Sequence, residues 1–174
     1  MMRLAAIVVG GCAVLALAGC SKGVDGQAEA SVAPLTKEQL FDPCTVPESA
    51  LVAAGADPAS RDDNPFSVGR EDWNGCDWDA DDYFIGIIST THTLDEFRAN
   101  DRFSDFRDVT VGGRSAVQHY VGSQSPPNEC QITFDTSKGR VSVSAMRFLS
   151  SKSTTDPCQW ANAAAPHFVD FLPK

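Results

Sequence analysis

The chain is short of positive charge: 14 Lys and Arg stand against 23 Asp and Glu, a formal charge of -9. No basic stripe can be drawn from so few cations, which argues against nucleic-acid binding through phosphate contacts. A long hydrophobic run is missing too. The longest, Leu4 to Leu17, falls short of the about 20 residues that cross a bilayer core of about 30 Å. No C-x-x-C pair occurs, which weighs against a zinc site, and no serine stands in G-x-S-x-G, the elbow of one large hydrolase class. Histidine is scarce, with only His92, His119 and His167. There is no solenoid-type repeat. What remains, 174 residues at 43% hydrophobic and 21% charged, is ordinary globular composition for one domain with appendages.

The N-terminus carries an address. Arg3 precedes the apolar run, as in a secretory signal peptide. Leu17-Ala18-Gly19-Cys20 then has the form of a bacterial lipobox. Small residues before the cysteine leave the backbone accessible to the processing enzymes, and the Cys20 thiol is the group that becomes a thioether to diacylglycerol. Ordinary cleavage after Ala18 competes as a reading, but it would leave five cysteines and an odd thiol in an oxidising compartment. Cleavage before Cys20 with lipidation leaves Cys44, Cys76, Cys130 and Cys158, an even set, while Cys12 departs with the leader. The expectation is a signal peptide over 1–19 and a lipidated Cys20 opening a flexible Gly, Ala and Ser-rich tether over 20–34. A single globular domain over 35–174 would then be held at the outer face of the cell membrane.

Within that domain the pattern predicts an α+β fold: an antiparallel sheet of about five strands under two to three helices. Thr45-Val46-Pro47-Glu48 reads as a capping box opening a helix from Pro47 to Ala54, closed by Gly55. Asp57 to Asp72 reads as a polar loop. Cys76-Asp77-Trp78 is a strand candidate, and Phe84 to Ile88 is apolar throughout, as for a strand buried on both faces. Thr93-Leu94-Asp95-Glu96 is a second capping box, for a helix to about Asn100. Gly112-Gly113 signals a hairpin between 109–111 and 115–121. The clearest hairpin joins 130–136 to 140–148, with Ile132, Phe134, Val141 and Val143 inward. Asp156-Pro157 opens a last helix carrying Trp160, Ala164, Phe168 and Phe171 on one face, kinked at Pro166.

Four mature cysteines allow three connectivities. Cys44 and Cys158 each follow Asp-Pro at a helical start, and Cys76 and Cys130 each sit in a strand. Helix-to-strand pairing of sequence neighbours therefore predicts Cys44–Cys76 and Cys130–Cys158.

Several short motifs occur in a fixed order: lipobox, tether, Asp42-Pro43-Cys44, Cys76-Asp77-Trp78, Val111-Gly112-Gly113-Arg114-Ser115-Ala116, Cys130 before a strand, Asp156-Pro157-Cys158 and Phe171-Leu172-Pro173. This ordered set resembles the small secreted lipoproteins of actinobacteria, among mycobacteria, nocardiae and relatives, that carry a two-disulfide domain of unknown function. A looser similarity is to the extracellular sensor domains of mycobacterial receptor kinases. The resemblance implies address and fold and supplies no catalytic residues.

Candidate chemistry is thin. Asp77, Asp79 and Asp81 have calcium-loop spacing, but Asp82 and Ile88 stand where Gly and Glu would be needed. They read as an acidic turn, part of a solvated acidic face with Asp62, Asp63, Glu71, Asp72 and Asp82. Trp73, Trp78 and Trp160, like Phe97, Phe103 and Phe106, read as core before pocket. The expected function is non-enzymatic, with no cofactor and no metal: an anchored domain binding a cell-envelope partner. The alternative is a carrier or sensor of a small apolar ligand or lipid. An exposed apolar patch would favour the first, a pocket of several hundred Å³ the second, and a carboxylate pair of perturbed pKa in a cleft an enzyme.

Overall fold

The computed structural model describes residues 35–65 and 70–174. The leader, Cys20 and the tether lie outside the described residues. Six strands, β1 (Trp73–Asp79), β2 (Tyr83–Thr90), β3 (Phe103–Val111), β4 (Arg114–Val121), β5 (Glu129–Thr136) and β6 (Gly139–Arg147), form one sheet in the order β1-β2-β6-β5-β4-β3. Every neighbouring pair is antiparallel. Among the described residues three short α-helices accompany it, α1 (Glu48–Ala53), α2 (Leu94–Ala99) and α3 (Pro157–Ala164). The class is α+β, with six strands where about five were expected. Both edge strands run longer than the segments the sequence marks. β1 pairs with β2 over its whole length, from Trp73 opposite Thr90 to Asp79 opposite Phe84. β3 starts at Phe103, well before the 109–111 segment that the sequence marks, because a register shift between Ser104 and Arg107, with Asp105 at φ 55°, breaks the alternation there.

One face of the sheet is the core. Trp78, Ile85, Ile87, Ile132, Phe134 and Val143 project there, none more than 1% exposed. The register sets Trp78 against Ile85, and Ile87 against Val143, which in turn faces Ile132. Burial on this scale stabilises by roughly 1.5–3 kcal/mol per large side chain. α3 lies across β5 and β6, with the Asp156 side chain accepting from Cys158 N at 2.8 Å as N-cap and Pro157 at its first position. The disulfides Cys44–Cys76 and Cys130–Cys158 tie helical starts to strands, with Cα separations of 5.3 Å and 5.0 Å.

Two helical expectations need correction. The Thr45 capping box does not form. Residues Pro43–Thr45 make a 3-10 turn in which the Thr45 hydroxyl donates to Asp42 O, and Pro47 becomes the N-cap of α1 without a side-chain bond. The helix does close at Gly55, whose φ of 86° lets its N–H and that of Ala56 reach back to Val52 O and Leu51 O. The last helix ends at Ala164. Pro166 cannot continue the hydrogen-bond ladder, and two 3-10 turns, Ala165–His167 and Val169–Phe171, follow. The helical phase is lost there, so Phe171 is 48% exposed while Val169 and Leu172 are buried in its place.

Candidate functional site

The sheet's other face is where the sequence is most misleading. Gln131 and Thr133 of β5 and Ser142 and Ser144 of β6 alternate with core residues and are polar, yet each is at most 4% exposed. They are covered by an aromatic layer. The Thr93 capping box does form, with Thr93 N donating to Glu96 Oε2 at 2.6 Å and Glu96 N to Thr93 Oγ1 at 3.1 Å. The short α2 that it starts buries Phe97 over β3 and β4. Phe97 stacks on Phe103 at 4.6 Å and on Trp73 at 5.9 Å, and His119 meets Phe97, Phe103 and Phe106.

His119 is fully buried. Its Nε2 lies 2.9 Å from Thr133 Oγ1, which lies 2.8 Å from Ser142 Oγ, and its Nδ1 takes no hydrogen bond. Burial in this aromatic setting, more than the nearby Arg98 charge, pushes its pKa down to about 4. It is neutral at physiological pH. The other histidines go elsewhere: His92 sits 3.7 Å from Asp72 and 3.6 Å from Glu96, and His167 is exposed.

Beside the aromatic layer lies a cavity of about 260 Å³. Its walls include Trp73, Phe84, Ile88, Phe103, Val121 and Met146, and Arg70 and Arg102 also line it. Its polar side is made by Asp77 of β1, Glu129 and Gln131 of β5, and Ser144 of β6, around Gly86. Gly86 stands opposite both Asp77 and Ser144 in the sheet. A Cβ at that position would lie 2.5 Å from Asp77 Oδ1 and 3.4 Å from Ser144 Cβ. The bare glycine therefore makes the space that the Asp77 carboxylate occupies. Glu129 Oε1 accepts from Gln131 Nε2 and from Ser144 Oγ, each at 2.8 Å, while the buried Gln131 Oε1 takes no hydrogen bond.

Burial, then the charges of Glu129 and Asp62, push Asp77 up to about 7. Burial likewise raises Glu129, against the bonds from Gln131 and Ser144 and the charge of Arg102, all of which favour its ionised form. Asp77 is thus no member of a solvated acidic face. It is partly buried at a cavity, whereas Asp79 at the strand's end is exposed. Glu129 and Gln131 escaped sequence reasoning altogether. The one signal was β2, whose Phe84, Gly86 and Ile88 face this side, as a strand buried on both faces would require. Of the three tryptophans only Trp73 lines the cavity. Trp78 is core, and Trp160 is half-buried, stacked on Tyr83 at 4.5 Å beneath Arg147. Among the described residues no group of three or more His, Cys, Asp and Glu could hold a metal ion, and no helix is long and apolar enough to cross a membrane.

Fold and site together define a disulfide-stapled α+β domain with a ligand-sized cavity on the sheet face away from its core. The chain belongs to the family described as Protein of unknown function (DUF3558), whose model matches residues 15–170. No curated protein and no solved structure matches it.

Proposed function

We propose that this is a lipid-anchored, extracytoplasmic domain of the actinobacterial lipoprotein type that binds a small ligand without transforming it. The cavity of about 260 Å³ between Trp73, Phe103 and the Asp77–Glu129 pair carries the reading: apolar walls with a few convergent polar groups are what small-molecule sites present. The anchoring half rests on the lipobox at Cys20 and on the fact that the other four cysteines outside the leader are all in disulfides. A carboxylate pair with raised pKa is also what an enzyme uses. Here neither histidine with a polar contact meets a serine or cysteine nucleophile: His92 faces carboxylates and His119 bonds Thr133. Binding is the simpler use of the site. Docking of an envelope protein has less to stand on, since the large apolar residues exposed among the described residues are only Val52, Leu149 and Phe171.

The test is calorimetric titration of the whole protein with a panel of neutral, cationic and anionic small aromatic compounds. At least one should bind saturably, and Met146→Trp, which places an indole in the cavity, should abolish that binding while the far-ultraviolet spectrum stays unchanged. A panel with no binder, or a binder indifferent to Met146→Trp, would overturn the pocket. In cells, Cys20→Ala should release the domain from the membrane fraction or block its maturation.

A further inference from the structure

We infer that the cavity takes a small ligand bearing a protonated amine on an apolar or aromatic body, with the ammonium set among Asp77, Glu129 and Gln131; this rests on the ligand-binding reading above. The argument begins with hydrogen-bond supply. On the cavity's polar side Gln131 Nε2 and Ser144 Oγ each donate to one oxygen, Glu129 Oε1, at 2.8 Å, and Arg70 and Arg102 are the cations among the lining. What is left over can accept: the second oxygen of Glu129 and the Asp77 carboxylate when ionised, and Gln131 Oε1. That last atom belongs to a residue only 4% exposed and has no hydrogen-bond partner. Buried acceptors without donors are rare and call for a partner. An ammonium carries three donors and no acceptor, so it can serve Gln131 Oε1 and both carboxylates at once.

Charge points the same way. Two acidic groups share one partly buried site, and the charges that act on Asp77 there, Glu129 and Asp62, are both acidic. Arg102 favours ionised Glu129, yet burial outweighs it. A cation placed between the carboxylates relieves the repulsion, and an anion would add to it. The walls suit the rest of such a molecule. Trp73, Phe84 and Phe103 supply aromatic walls and Ile88, Val121 and Met146 apolar ones. At ~30 Å³ of liquid volume per water, the space equals about nine waters, enough for a single ring with a short amine chain. A hard divalent cation fits poorly, since it needs six or more oxygen ligands or a retained water shell.

Proton linkage supplies a signature. The charges acting on Asp77 are Glu129 and Asp62, and Arg70 and Arg102 are the cations lining the same cavity. A bound ammonium favours ionised Asp77, so its binding expels a proton and tightens as pH rises past the Asp77 pKa.

The experiment is isothermal titration of the wild-type protein with phenethylamine, its neutral isostere phenethyl alcohol, and phenylacetate, at about pH 6 and about pH 8. The amine should bind at least tenfold more tightly than the alcohol, with phenylacetate weakest, and its preference should widen several-fold at the higher pH. In the folded variants Asp77→Asn and Glu129→Gln that preference should shrink to threefold or less. Alcohol or phenylacetate binding as tightly as the amine would overturn the cation assignment and leave the pocket standing. Binding of none of the three would also overturn it, while the wider panel and Met146→Trp decide the pocket separately.

Discussion

Gly86 and Asp77 share one space: a Cβ on the glycine would stand 2.5 Å from the Asp77 carboxylate. In an ordinary strand, replacing glycine with alanine stabilises by roughly 0.5–1 kcal/mol. At position 86 the methyl must instead displace Asp77 from its place across the strand pair, and overpacking of this kind typically costs about 1–3 kcal/mol. Gly86→Ala is therefore expected to lower stability by about 1 kcal/mol net and to weaken ligand binding. The cause can be isolated by a double-mutant cycle. With Asp77→Ala already in place the clash is gone, and Gly86→Ala should become neutral or stabilising in urea unfolding. An equal loss in both backgrounds would mean that the glycine is needed for something other than the carboxylate.

The core was legible in the sequence and the site was not, for one physical reason. Period-two alternation separates two faces without saying whether either is wet. Ile132 and Phe134 announce a buried face, and they are buried. Gln131, Thr133, Ser142 and Ser144 announce a polar one, which the sequence leads a reader to leave in solvent. What covers them is Phe97 on a six-residue helix and Phe103 on a strand whose bulge hides its alternation. These contacts join segments far apart in the chain, and no local pattern encodes them. The turns, by contrast, were local problems. Gly112 and Gly113, at φ 55° and 78°, make the tight hairpin that their pairing suggested.

Asp77 and His119 titrate with opposite consequences. The folded pKa of Asp77 is raised to about 7 from its model-peptide 3.8, so the native state holds the extra proton. Its contribution is fully present below the unfolded value and lost as pH rises toward 7. His119 is lowered to about 4 from 6.5. There the unfolded state binds the extra proton, and stability is lost as pH falls from 6.5 toward 4. The two slopes oppose each other between about pH 4 and about pH 6.5. Removing one exposes the other. The Asp77→Asn variant should gain stability relative to wild type as pH rises from about 4 to about 8, by an amount on the order of 2–4 kcal/mol. Urea midpoints across that range measure the difference, and a constant offset between the two proteins would place Asp77 in water.

Arg114 explains why two motifs far apart in the sequence, Val111-Gly112-Gly113-Arg114 and Phe171-Leu172-Pro173, belong to one structure. Its Nη1 donates to Val169 O at 3.1 Å and Leu172 O at 3.2 Å, and its Nη2 to Pro173 O at 2.7 Å. The guanidinium also lies over the Phe134 ring, 5.4 Å from its centroid. These carbonyls sit after the α-helix has ended at Ala164, where no α-helical ladder satisfies them, so a side chain does so instead. The planar fork of an arginine can serve three acceptors at once, whereas a lysine offers a single point charge on a flexible stem. Gly112 completes the seat: with φ 55° it turns the hairpin, and a Cβ there would meet Val169 Cγ1 at 2.6 Å. Hydrogen bonds from a charged donor contribute about 1.5–3 kcal/mol each when well buried, and Arg114 is only half-buried. Arg114→Ala should therefore cost about 2–3 kcal/mol in total, and Arg114→Lys should recover less than half of it. Because the bonds it removes are all to the last turn, amide exchange should accelerate first at 169–174, ahead of the β5–β6 hairpin. Unchanged exchange in that segment, with stability within about 0.5 kcal/mol of wild type, would mean that the C-terminus is held by the burial of Val169 and Leu172 alone.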